Sequence, residues 1–354
     1  MKLQDEKVVI DIDAPDNATR RFAFLLMKNF TLLSFASAVD ALRIANRMSD
    51  KAIYSWVFLS EDGNPVSCSA GTSFNVDNSL IDLHRDDTIM VCGGMNISET
   101  TTKPILNWIR KETRRGLKIG GLCTAAYTLA RAGILDGKRA TTHWENQDSF
   151  SEEFMEVDLK KSVFIIDGNR MTTAGGTSSI DLFLKIIADD HGEELANAVA
   201  DQMIYSSIRT DQDSQRLSVP TRIGVRHPKL SLVIQMMEKN IEEPISPSIL
   251  AKDVSMSTRQ LERLFRRYLD RSPKRYYMEL RLQKARNLLM QTDMIVINVA
   301  LACGFASPSH FSKCYRTHYN TTPYRERGSK SSRITIYLLQ PNDIIHFSGI
   351  IPRG

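Results

Sequence analysis

The chain has 354 residues, 42% of them hydrophobic and 25% charged, with a formal net charge of +5. That length exceeds one comfortable domain, and the composition excludes a disordered or fibrous protein. No apolar run approaches the roughly 20 residues of a membrane span, and the polar, acid-rich start is no secretory leader, so a cytoplasmic protein with no membrane partner is expected, residues 1–20 being loosely ordered.

From residue 21 to about 190, short apolar runs alternate with stretches of helical period. Strands are predicted at 22–27, 54–59, 88–92, 117–122 and 163–166. Helices are predicted at 32–46, 103–114, 124–132 and 179–188, with helix continuing from 190 to 205. Asp62-Gly63 and Pro65 mark a turn, and Gly93-Gly94 ends the third strand. Strands that alternate with helices predict an α/β domain at 21–206, a mainly parallel sheet sandwiched between helices, which takes ligands at the carboxyl ends of its strands.

Residues 207–228 are polar, lack an apolar period and contain Pro220 and Pro228, and they read as a linker. An all-helical domain follows at 229–330, with helices at 230–240, 249–254, 258–269, 274–289, 295–303 and 309–318. Residues 331–354 fit neither domain and read as an edge strand or a tail of unknown role.

Charge is unevenly shared. Residues 229–330 hold 18 Lys and Arg against 9 Asp and Glu, whereas residues 1–227 hold 26 against 31. One half is therefore suited to a polyanion. The five cysteines, Cys68, Cys92, Cys123, Cys303 and Cys314, form no CxxC pair, which argues against a disulfide framework or a zinc site. No metal and no cofactor are expected.

The basic half is internally repeated. Leu261, Phe265 and Pro273 recur as Phe311, Tyr315 and Pro323 at a constant offset of 50. Each copy reads as a short helix, a tight turn, a basic helix and a proline stop, which is two helix-turn-helix units in tandem. Apolar spacing turns Leu261, Leu264 and Phe265 inward, and likewise Phe311, Cys314 and Tyr315. Thr258, Arg259, Gln260, Arg263 and Arg266 of the first unit are left for solvent, as are Ser307, Ser309, His310, Lys313 and Arg316 of the second. Arg takes guanine and Gln takes adenine in the major groove, and flanking Lys and Arg hold phosphates. Ser257 and Ser307 are placed to cap the two basic helices. The helix at 274–289 would fix the spacing so that both units enter successive major grooves, roughly 34 Å apart.

Cys303-Gly304-Phe305, Ser307-Pro308-Ser309-His310-Phe311 and Thr322-Pro323 resemble the second unit of AraC/XylS-type DNA-binding domains. The resemblance covers residues 229–327 and implies transcription regulation, promoter DNA as partner and RNA polymerase as a candidate contact.

In the first half, Gly121-Leu122-Cys123-Thr124-Ala125 sits where a strand turns into a helix, the pattern of a nucleophile elbow. A helix N-terminus beneath Cys123 is expected to lower its thiol pKa, and His143, in Thr141-Thr142-His143-Trp144, is placed to approach it. The residues alone leave two readings: a Cys-His nucleophilic pair, or a buried thiol beside a pocket histidine.

The elbow and the Thr-Thr-His-Trp stretch resemble ThiJ/PfpI-type domains, flavodoxin-like relatives of class I glutamine amidotransferases. Many of those enzymes carry His after the cysteine, where Thr124 stands here. Others carry Glu near the start of the first helix, where this chain has Thr31-Leu32-Leu33-Ser34-Phe35 and its nearest acid is Asp40. The departures imply a ligand site rather than a catalytic one.

Such a domain joined to an AraC-type domain resembles the GlxA-type regulators. That resemblance implies control by a small polar metabolite, an amino acid or quaternary amine such as arginine, betaine or carnitine, and by analogy a homodimer. Candidate ligand residues are Phe30, Gly93, Gly94, Cys123, Thr124, His143 and Trp144. Phe30, Phe35 and Trp144 offer aromatic faces to a cation, while Gly93, Gly94 and Thr124 offer donors to a carboxylate. The turn at 172–177 is expected to close the pocket wall. An activator is expected, though the sequence leaves open the effector, the operator, the oligomeric state and whether the protein activates or represses. A cysteine hydrolase fused to a DNA-binding domain, and a constitutive DNA-binding protein with a structural first domain, remain as alternatives.

Overall fold

The computed structural model describes residues 19–216, 219–224 and 227–328; residues 1–18 and the unassigned tail at 331–354 lie outside them. Contacts group the chain into two units. One runs to Lys239 and adds Ile245–Arg275; the other comprises Asn240–Pro244 and the chain from Tyr276.

The first unit is built on a six-stranded sheet. Its strands are β1 (Arg20–Leu26), β2 (Tyr54–Leu59), β3 (Thr88–Cys92), β4 (Lys118–Leu122), β5 (Phe164–Asp167) and β6 (Arg170–Thr173), in the order β2-β1-β3-β4-β6-β5. All pairings are parallel except β5 with β6. Side chains alternate across the sheet. Phe22, Phe24, Leu26, Met90 and Cys92 enter one apolar cluster, and Ala23, Leu25, Ile89 and Val91 enter the other. Both faces are thus buried, which explains why β1 and β3 read as continuous apolar runs. Each fully buried Phe contributes about 2–3 kcal/mol of transfer free energy.

Helices α1 (Leu32–Met48), α4 (Ser178–His191) and α5 (Glu193–Gln202) cover the first face, through residues such as Leu42, Phe183 and Val199. Helices α2 (Lys103–Arg114) and α3 (Ala126–Arg131) cover the second, through Ile105, Trp108 and Leu129. This is the expected flavodoxin-like α/β sandwich.

Three local readings are corrected. The helix predicted from 124 opens as a 3₁₀ turn over Cys123–Ala125 before α3. The helix predicted to continue through 190–205 breaks at Gly192, whose φ of +93° no side chain favours. Thr172 and Thr173 belong to β6, so the predicted turn at 172–177 is confined to 174–177; Gly168, at φ +62°, makes the β5–β6 hairpin.

The C-terminal half is helical among the described residues: α6 (Pro228–Lys239), α7 (Pro247–Asp253), α8 (Thr258–Leu269), α9 (Pro273–Gln291), α10 (Val296–Ala302), α11 (Pro308–Tyr319) and α12 (Pro323–Gly328). The repeat is now visible in three dimensions. Helices α8 and α11 are each 12 residues long, at the offset of 50. Each ends on a left-handed residue, Asp270 at φ +51° and Asn320 at φ +55°. Leu261 and Phe265 are buried in one, Phe311 and Tyr315 in the other.

Candidate functional site

The parallel strands β1, β3 and β4 end side by side and bring three loops together. Phe30, after β1, forms a bridge with Gly94, after β3. The approach is close: a Cβ on Gly94 would lie 1.9 Å from the Asn29 carbonyl oxygen, so only glycine fits. Cys123 follows β4 directly with φ +60°, a conformation that costs a non-glycine residue energy and persists where surrounding packing fixes it. Gly175 supplies that packing, since a Cβ there would lie 2.7 Å from the Cys123 Sγ.

Thr31 Oγ1 donates to the Cys123 Sγ at 3.4 Å, and Thr124 Oγ1 donates to the Gly94 carbonyl at 2.7 Å. The Gly93 N–H donates to the Leu122 carbonyl at 3.3 Å. Cys123 is only 6% exposed. Burial pushes its thiol above the ordinary value, the hydrogen bonds from Thr31 and the Thr124 N–H offset this in part, and the charge of Glu145 adds to it. The expected lowering of the thiol pKa is therefore wrong: desolvation outweighs the short turn beneath the sulfur.

Thr142 Oγ1 donates to the Cys123 carbonyl at 3.4 Å, so the loop carrying His143 and Trp144 is tied to the elbow. The side chain hydrogen-bonded to the thiol is that of Thr31 rather than His143. Burial lowers the His143 pKa against the opposing pull of Glu145, whose Oε2 lies 3.8 Å from Nδ1. Trp144 is 37% exposed. The Phe30 ring is fully buried, edge-on to Phe35 at 5.3 Å and to Phe74 at 5.6 Å, so it packs in the core while its backbone borders the loops. An open depression lined by Phe154, Met155 and their neighbours contains none of these residues.

The basic helices have their own geometry. Ser257 Oγ accepts from the Gln260 N–H at 3.2 Å and Gln260 Oε1 accepts from the Ser257 N–H at 2.8 Å, a capping box. Ser307 Oγ accepts from the His310 N–H at 3.4 Å. The turns before them match: the Ser255 and Met256 N–H groups return to Lys252 and Ala251, and those of Gly304 and Phe305 return to Leu301 and Ala300. Thr258, Arg259, Gln260, Arg263 and Arg266 are all exposed along α8, and Ser307, Ser309, His310, Lys313 and Arg316 are exposed at and along α11. Cys314, expected to face inward, is half-buried, with its Sγ 3.3 Å from His310 Nε2.

Comparison with known proteins agrees with both halves. Residues 20–189 match the DJ-1/PfpI family, and residues 250–329 match a family described as a helix-turn-helix domain. The chain is 46% identical over 307 residues to the HTH-type transcriptional regulator CdhR of Pseudomonas aeruginosa, covering 87% of this chain and 91% of that protein. The chain belongs to the AraC-type transcriptional regulators with a DJ-1/PfpI domain. It is also 42% identical over 322 residues to the regulator GbdR of Pseudomonas aeruginosa, covering 91% and 88% of the two chains. With the regulator GlxA of Rhizobium meliloti it shares 34% identity over 305 residues, covering 86% and 94%.

In this regulator the structure gathers Gly93, Gly94, Cys123, Thr124 and the Phe30 backbone at the strand ends, with His143 and Trp144 on the adjoining loop. Sequence reasoning missed Thr31 as the thiol's partner and Gly175 as its neighbour. It also missed Gln215, whose Nε2 donates to Thr141 Oγ1 and to the carbonyls of Thr142 and Ser162 at 2.9–3.0 Å. A polar linker residue gives no sequence signal of such a contact. Also missed was Arg281, which donates to the Cys303 and Gly304 carbonyls and lies 4.1 Å over the Phe305 ring, fixing the second turn. Among the described residues no helix is long and apolar enough to cross a membrane, and no group of three or more His, Cys, Asp or Glu is placed to hold a metal.

Proposed function

We propose that this regulator reads promoter DNA sequence-specifically with α8 and α11, and that a small polar metabolite controls it through the α/β half. The assignment divides the chain into a sensor at 21–206, a linker at 207–228 and a DNA-binding domain at 229–330. The observation that carries it is the pair of equally long, serine-capped basic helices with exposed Arg, Lys, Gln and His. That is the chemistry of base-edge and phosphate contact.

In the sensor, a buried thiol on a strained backbone among strand-end glycines, its pKa pushed up by desolvation, suits ligand binding better than nucleophilic attack. An amino acid or quaternary amine fits the reading: the partly exposed indole of Trp144 suits a cation, while the Gly93 N–H and Thr124 Oγ1 expected to hold a carboxylate are engaged by the Leu122 and Gly94 carbonyls and must be released to do so. Such a ligand acts only through its different affinity for two states of the cytoplasmic protein, which we take to be a homodimer.

A thermal-shift screen of amino acids and betaines, run beside a DNA footprint on bound promoters, tests both halves. A ligand present at a hundred times its Kd raises stability by about 2.7 kcal/mol. The positive φ of Cys123 favours a cysteine hydrolase as a second reading. Turnover of amides that is lost in Cys123→Ala would establish that reading, and an intact effector response in the same variant would oppose it.

A further inference from the structure

The linker does not hang free of the α/β half. Ser214 forms an antiparallel bridge with Ser162, and the Val163 N–H donates to the Asp213 carbonyl at 3.0 Å. The Gln215 amide then spans Thr141, Thr142 and Ser162, as described, while its Oε1 is buried and has no hydrogen-bond partner among the described residues.

The next residue is Arg216. Its guanidinium carbon lies 4.6 Å from the centre of the Trp144 ring. That is the position a cation takes on an indole face. The same guanidinium has Nη1 3.8 Å from Glu238 Oε1, on α6, a carboxylate that Arg222 holds at 2.9 Å. Trp144 is thus joined on one side to the Cys123 elbow, through Thr142, and on the other to α6, through Arg216.

We propose that the face of Trp144 is a cation subsite that the chain's own Arg216 fills, and that a ligand bearing a quaternary ammonium or guanidinium group binds there by displacing it. The proposal rests on the sensing reading above and names the part of the ligand that is sensed. Displacement removes the Arg216 guanidinium from Glu238 in the same step. A ligand cation competes with Arg216 for one aromatic face, so ligand affinity and linker docking are linked with opposite signs. A neutral amino acid of equal size has no such competition.

The test is calorimetric titration of the full-length protein with trimethylglycine, L-arginine and tetramethylammonium, each against wild type, Arg216→Met and Arg216→Lys. Methionine keeps length and apolar bulk but removes the competing charge. The expected result is tighter binding of the cations to Arg216→Met, by roughly fivefold for a contact of cation–π strength. Arg216→Lys should stay near wild type, and Trp144→Leu should lose the tetramethylammonium binding altogether. Equal cation affinity in wild type and Arg216→Met overturns the competition while leaving the sensing reading intact. If wild type and Arg216→Met both fail to bind every probe, the sensing reading falls and this inference falls with it.

Discussion

The Tyr315 hydroxyl donates to Glu326 Oε2 at 2.8 Å, and Arg286 Nε reaches the other oxygen at 3.0 Å. The carboxylate is 5% exposed, so one buried acid ties the second basic helix, α11, to α12 and to the long helix α9. Glu326→Ala leaves a buried hydroxyl and a guanidinium without that partner. We expect a loss of about 2–4 kcal/mol in urea unfolding of the second unit, with weaker DNA binding. Glu326→Gln keeps an acceptor for Tyr315 and should lose clearly less; equal losses would mean that the bond to Tyr315 does not hold α11.

Gly304 adopts φ +72° in the second turn, and a Cβ there would lie 2.6 Å from the Ile241 carbonyl oxygen. Strain and clash combine, so Gly304→Ala should destabilise by about 2–3 kcal/mol. A melting temperature unchanged from wild type would show that the turn tolerates the methyl group.

The Cys123 thiol is raised by burial. The thiolate therefore appears only above the ordinary thiol range, and alkylation by iodoacetamide at neutral pH should be slower than that of a small free thiol. The rate should climb as pH passes that range. Fast labelling at neutral pH would instead reveal an activated nucleophile.

Much of the fold is legible because burial on both sheet faces writes itself into the chain as apolar runs, as at Phe22, Phe24 and Leu25 or at Ile89, Met90 and Val91. The basic helices are legible because repetition doubles a weak signal: Ser257 and Ser307 cap equivalent turns, and neither alone would carry the reading. Strand β6 is not legible, since Arg170, Thr172 and Thr173 become strand through pairing with β5 across the Gly168 hairpin. The Cys123 sequence context suggests activation, but desolvation depends on what packs around it, Gly175 above all. Gln215 and Arg216 lie in a stretch with no apolar period, and their contacts are purely tertiary.

Arg263 and His310 stand exposed on α8 and α11 respectively. Arg263→Ala or His310→Ala should weaken binding to an operator by about 1–3 kcal/mol while leaving random-sequence DNA less affected. Equal losses on both would assign these side chains to phosphates.

The central claim is that two related helices read two stretches of one duplex. Selection of bound fragments from a random DNA pool by the full-length regulator, repeated with Arg263→Ala and with His310→Ala, tests it most directly. The account predicts a motif with two separate blocks of base preference, one relaxed by each substitution. Recovery of no motif, or of a single block that both substitutions weaken alike, would contradict it.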